Sequence, residues 1–253
     1  MTEAQPRLAV SDLRARIARI ESTGRVAHAV LPFGDAAIDA ALPGGGLALG
    51  ALHEVAGGGS GAVDGAAAAM FAAGIVARLP GRVLWCVTRP DLFAPAIDQA
   101  GLHPDRVIYV EAGDEQTVLA CFEEGLRHGG LAGVVAELAR LSMTASRRLQ
   151  LAAEASGMIG IAVRRWRRAT EAADFGQPTA AITRWRVTAV PSTPLPVPGV
   201  GRARWFIELI RCRAGECAEF EVEACDETGR LALPADLADR SAASQAGLRR
   251  ASA

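Results

Sequence analysis

The sequence predicts an α/β domain: a mostly parallel twisted sheet flanked by helices, with an antiparallel extension at its C-terminal side. Three observations lead there. Between residues 51 and 163, short and nearly continuous apolar runs alternate with amphipathic or alanine-rich stretches, the pattern of parallel strands buried on both faces. After residue 180, strand-like runs follow one another with no helix between them. Hydrophobic residues make up 50% of the 253, enough for a sizeable core in one large domain.

The elements follow in order. Residues 1–30 are a helix and lead-in. From Ser11 to Glu21 an N-cap serine precedes Leu13, Ile17 and Ile20 on one helical face, with Arg14, Arg16 and Arg19 largely elsewhere. That face suits packing on the domain or on another subunit, and is short for a membrane surface. The core runs over 31–235. It opens with a short helix around Ile38–Leu42 and a glycine turn at Gly44–Gly46. A strand at 51–55 enters a glycine loop at 56–65, followed by an alanine-rich helix at 66–79. Strands are expected at 83–87, 107–111, 132–138 and 158–163. Helices are expected at 94–100, 114–128 and 144–156. Trp185–Val190 and Phe206–Cys212 read as neighbouring strands joined by the proline-rich loop Pro191–Pro198. Ala218–Ala224 alternates apolar residues with glutamate, as an exposed edge strand does. Residues 236–253 read as a flexible tail, or a helix that forms only on a partner.

Composition excludes several chemistries. All 27 basic residues are arginine, so the chain has no Schiff-base, catalytic or phosphate-loop lysine. A net charge of −1 is not that of a polycation seeking nucleic acid. Cys86, Cys121, Cys212, Cys217 and Cys225 form no C-x-x-C pair and the histidines are scattered, so no metal site is expected. An odd number of dispersed cysteines fits reduced thiols in the cytoplasm. No run of about 18 apolar residues occurs, so no membrane span is expected, and the N-terminus lacks a signal-peptide pattern.

The glycine loop lies where phosphate-binding loops lie, between a first strand and a helix. The functional pattern is G-x-x-x-x-G-K-[ST]. Here Gly57, Gly58, Gly59, Ser60 and Gly61 are followed by Ala62, where the lysine would reach phosphate, and by Val63, where a hydroxyl would hold magnesium. Ala56 replaces the first glycine. The fourth strand has Ala136 nearest the position of a Walker B aspartate. Glu137, one step along, points to the opposite face and does not replace it. After the second strand, Thr88-Arg89-Pro90-Asp91 offers no glutamate to activate water. No catalytic residue is assigned and no cofactor is expected. Loop N–H groups alone would hold an anion weakly and stabilise a phosphoryl transition state poorly.

With these residues in view, the chain resembles the RecA recombinase core, and more closely the ImuA family of RecA-like accessory proteins in bacterial mutagenesis cassettes. The lead-in Phe33-Gly34, Ile38-Asp39, Ala41-Leu42, Gly45-Gly46-Leu47, Gly50 and Glu54-Val55 carries the resemblance in order and spacing. Arg164-Arg165, Phe175-Gly176-Gln177-Pro178 and Phe206–Arg213 with Phe220-Glu221-Val222 extend it over roughly residues 8–235. The resemblance implies a non-catalytic adaptor in DNA-damage-induced mutagenesis and translesion synthesis within the SOS response. Its implied partners are an ImuB-like relative of Y-family polymerases, an error-prone C-family DNA polymerase, and RecA. Two other readings stay open: a cell-division inhibitor of the SulA type, and a diverged nucleotide-binding protein of the RecA class.

Residues 160–213 hold ten arginines against three acids. Arg164, Arg165, Arg167 and Arg168 surround Trp166, and Arg184 and Arg186 flank Trp185. Arginine with interleaved aromatics suits single-stranded DNA. The same pattern suits core tryptophans beside a solvated face, and the eight acids at 216–239 are available to pair with these arginines. Leu13, Ile17 and Ile20 are candidates for self-association into a homo-oligomer. Leu237, Leu248, Arg249 and Arg250 are candidates for docking an ImuB-like partner.

Overall fold

The computed structural model describes residues 29–59, 61–166, 172–199 and 201–232. Its strands are β1 (Val30–Leu31), β2 (Leu47–Ala48), β3 (Leu52–Gly57), β4 (Val83–Val87), β5 (Val107–Glu111), β6 (Gly133–Leu138), β7 (Ile159–Arg164), β8 (Thr183–Val190), β9 (Arg204–Cys212) and β10 (Ala218–Glu223). Its α-helices are α1 (Ala36–Ala40), α2 (Ala62–Ala77), α3 (Ala94–Gln99), α4 (Glu115–His128) and α5 (Met143–Ser156).

β1 and β2 pair with each other. The other eight strands form one sheet in the order β10-β9-β8-β3-β7-β6-β4-β5. From β8 to β5 every neighbouring pair is parallel, and β9 and β10 add on antiparallel. This is the architecture the sequence predicts. The small β1–β2 pair was not anticipated, because two residues per strand leave no periodicity to read.

Each face of the sheet has its own core. On one side Val55, Trp85, Val135, Ile161 and Trp185 pack against Phe71 and Ile75 of α2, Ile38 of α1 and Ile97 of α3. On the other, Leu52, Val134, Ala136 and Ala162 meet Val118, Phe122 and Leu126 of α4 and Leu149 of α5. β3, β6 and β7 are buried along their whole length, which is why they are mostly apolar on both faces, His53, Glu54, Glu137 and Arg164 being the buried polar exceptions. Phe33, Phe71, Trp185 and Trp205 form one aromatic cluster, with centroid separations of 5.7–6.4 Å.

Local signals set the helix ends. Asp114 caps α4 by accepting from the Thr117 N–H at 2.9 Å, and Ser142 caps α5 by accepting from Ala145 at 3.2 Å. Both helices end in a left-handed glycine, Gly129 and Gly157. α2 begins at Ala62, four residues before the expected start, so the glycine loop is shorter than predicted. β8 and β9 each begin two residues early. The added polar residues Arg184 and Arg204 are paired with glutamate and so enter the sheet.

Among the described residues no helix is long and apolar enough to cross a membrane, and no three His, Cys, Asp or Glu side chains are grouped to hold a metal ion. The five cysteines are unpaired. Burial pushes the Cys86 and Cys225 thiols up to about 12, as expected of structural rather than reactive thiols.

Candidate functional site

The crevice at the C-terminal ends of parallel strands is where open α/β sheets bind ligands. Two clefts lie there in this chain. One, of about 340 Å³, is lined by Gly57, Gly59, Gly61, Ala62 and Gly65 together with Arg164, Arg165 and Trp166. The other, of about 300 Å³, lies over the ends of β4, β6 and β7 and is lined in part by Thr88, Asp91, Glu115, Glu137, Arg165 and Trp166.

The glycine loop is held against β8. The Gly58 N–H donates to the Val187 carbonyl at 2.8 Å. A Cβ at Gly58 would stand 1.8 Å from the Thr188 hydroxyl oxygen, so only glycine fits there. Gly61 is the N-cap of α2, Ala62 opens the helix, and Val63 is 69% exposed. Neither side chain carries charge or a metal-binding oxygen. Asp64, in the first turn, accepts from the Ala189 N–H at 2.9 Å. Its second oxygen lies 3.0 Å from where a Gly59 Cβ would stand. The chain's own carboxylate therefore sits beside the loop at the positive end of α2, where a bound phosphate would meet its repulsion. Ser60 lies outside the described residues.

Acids in the second cleft are engaged by the chain itself. Glu137 is buried and accepts from the Trp85 indole N–H at 3.0 Å and from Arg165 at 2.5 Å. Arg165 also donates twice to Asp91, at 2.8 and 3.2 Å. Glu115 accepts from the Ala139 N–H at 2.6 Å. Glu137 shares the α2 face with Trp85 and Val135, and Ala136 points to the α4–α5 core, as strand alternation requires. The position nearest a Walker B aspartate is thus a buried methyl.

Two of the predicted DNA-contacting arginines require correction. Arg164 is fully buried and pairs with the fully buried Glu54 of β3 at 2.9 Å. Arg184 is buried too, 3.4 Å from the same carboxylate. Thr179 donates its hydroxyl to Glu54, and Arg164 donates to the Ala139 carbonyl at 2.8 Å. Phe175 closes the cluster, its ring 4.4 Å from the Arg184 guanidinium and edge-on to Trp166 at 5.5 Å. Buried charges are kept where partners surround them, and these arginines are structural for that reason. Arg186 is half-exposed and pairs with Glu208 at 3.3 Å. Among the described candidates, Arg165 and Arg186 alone reach the surface. Arg167 and Arg168 lie outside the described residues, as do Leu13, Ile17, Ile20, Leu237, Leu248, Arg249 and Arg250.

Asp64 carries no expectation from the sequence, and Glu54 and Phe175 enter there only as part of the family resemblance, not as members of a buried charged cluster. For Glu54 a signal existed. An acid within the apolar strand Leu52–Gly57 needs a buried cation, and arginines end β7 and begin β8. Asp64 had none, since its importance depends on β8 lying alongside the loop.

No protein-family model matches the chain. Protein ImuA of Caulobacter vibrioides strain NA1000 / CB15N is 39% identical over 245 residues, which are 91% of this chain and 99% of that protein. Protein ImuA of strain ATCC 19089 / CIP 103742 / CB 15 matches with the same identity and coverage. A crystal structure of the RadB recombinase superposes with a TM-score of 0.55 at 18% identity, covering 80% of this chain and 99% of that one. That likeness is one of fold.

Proposed function

The chain belongs to the ImuA family, and from that premise we propose that it is a RecA-like adaptor without ATP turnover. It acts in DNA-damage-induced mutagenesis and translesion synthesis in the cytoplasm. There it bridges an ImuB-like relative of Y-family polymerases and an error-prone C-family polymerase, with RecA as a further contact. One observation carries the non-catalytic part. The crevice that would bind and hydrolyse nucleotide offers Ala62 and Val63 in place of charge and hydroxyl, holds Asp64 beside the loop, and has its acids Glu137 and Asp91 bonded to Arg165. A fold kept while its engine is dismantled is kept for its surfaces.

The test is co-purification of this chain with an ImuB-like protein, with and without residues 237–253. The expected result is a complex with the full chain and a loss of at least tenfold in affinity without the tail. A complex that survives truncation moves the interface to the core or to the Ser11–Glu21 segment. No complex in either form removes the adaptor reading.

A further inference from the structure

The two edges of the sheet are built differently. β10 forms one edge, with Glu219, Glu221 and Glu223 alternating along one side, and Glu223 bridged to Ala232. Charge on an edge strand keeps other chains from pairing with it. β5 forms the other edge with the uncharged run Val107-Ile108-Tyr109-Val110, ending in Glu111. Among the described residues no strand pairs with its outer side. Ile108 and Tyr109 are each 39% exposed, and strand alternation sends them to opposite faces. A helix laid on one face would cover one of them. A strand added along the edge covers both.

The backbone orientation fixes which groups face outward. The Ala112 N–H donates to the Val87 carbonyl of β4 at 2.9 Å. Ile108 and Val110 share its orientation in this parallel pair and bond inward. The N–H and C=O groups of Tyr109 and Glu111 and the C=O of Val107 therefore face away from the sheet, while the Val107 N–H already donates to the Pro104 carbonyl. We propose that β5 pairs antiparallel with β5 of a second copy of this chain, about a two-fold axis at Tyr109. In that register Tyr109 meets the second copy's Tyr109, and Val107 meets Glu111 in both directions. Tyr109 then exchanges both of its backbone bonds with its counterpart, each Glu111 N–H donates to the other copy's Val107 carbonyl, and the two Glu111 carboxylates stand at opposite ends. The same operation on β10, centred on Glu221, would set Glu219 against Glu223 and is disfavoured by like charge. A two-fold pairing closes on itself and gives a dimer with one continuous sheet.

Sedimentation of the full chain at tens of micromolar tests this. The expected mass is twice 26.3 kDa. Ile108→Lys combined with Tyr109→Lys is expected to weaken association at least tenfold and to leave the far-ultraviolet circular dichroism unchanged, since both side chains are half-exposed in the single chain. The register has its own readout. In a Cys217→Ser background, Tyr109→Cys is expected to give a disulfide-linked dimer on mild oxidation with diamide. Val107→Cys is not, because the two copies of residue 107 lie four residues apart along the strands, roughly 13 Å. A monomer at that concentration overturns the proposal. So does a dimer that persists in the double lysine variant, or an association that keeps growing into larger species.

Discussion

Glu54→Ala is expected to cost about 3–5 kcal/mol of folding stability, the range for breaking a buried ion pair from one side. The carboxylate is fully buried and ties together three strands and a loop. Arg164 ends β7, Arg184 lies in β8, and Thr179 belongs to the segment that also brings Phe175 over both guanidiniums. Removing it leaves two buried cations without the anion they share. Because domains of this size are stable by only about 5–15 kcal/mol, the variant should unfold early in urea or accumulate poorly. Replacing Glu54 and Arg164 together by Leu and Met should recover part of the loss, since an apolar pair removes the stranded charge at one end. Urea midpoints of the three proteins decide it. A Glu54→Ala variant within 1 kcal/mol of the parent would mean that the cluster carries little.

That cluster marks the boundary of what the sequence reveals. The parallel sheet, its antiparallel extension and most element positions were legible because they follow from local periodicity. The strand at 107–111 and the helices capped by Asp114 and Ser142 are examples. The start of α2 was misplaced because Ala62 to Gly65 has no apolar period to distinguish loop from helix. Whether Arg164 and Arg184 face DNA or core was not legible. The answer depends on a cross-strand register that sets Glu54 beside residues 110 and 130 positions away in the chain. Arginine flanking tryptophan looks the same in a nucleic-acid groove and in a buried salt bridge, and tertiary pairing alone tells them apart. That the glycine loop is followed by Ala62 and Val63, with neither charge nor hydroxyl, was legible directly. That Asp64 stands beside the loop was not, since it requires β8 at the loop's flank.

A second large effect is expected from pH. His53, fully buried in β3, is neutral: burial pulls its pKa down to about 4. Its Nε2–H donates to the Ala48 carbonyl at 2.9 Å, which leaves Nδ1 to accept from the Thr183 hydroxyl at 2.7 Å. Thr183 in turn accepts from the Trp185 indole N–H at 2.8 Å. This chain fixes one tautomer and has no place for a second ring proton. In the unfolded chain the same group titrates near 6.5. Above that pH the ring is neutral in both states and stability is fully present. As pH falls from 6.5 towards 4, the unfolded chain takes up a proton that the folded chain refuses. Stability is then lost at about 1.4 kcal/mol per unit, roughly 2 kcal/mol by pH 5. His53→Gln should unfold more readily at pH 7 and should lack this slope. Equal pH dependence of the urea midpoint in both proteins would contradict the assignment.

If, as proposed, the RecA-like core serves through its surfaces and not through nucleotide chemistry, magnesium–ATP leaves the binding of an ImuB-like protein unchanged. Calorimetric titration of the full chain with an ImuB-like protein, in the presence and absence of magnesium–ATP, decides this. With Ala62, Val63 and Asp64 in the first turn of α2, the expected result is equal affinity in the two conditions, within twofold, and no release of phosphate. Affinity that rises tenfold with nucleotide, or phosphate released by the complex at a rate above that of either protein alone, would contradict it.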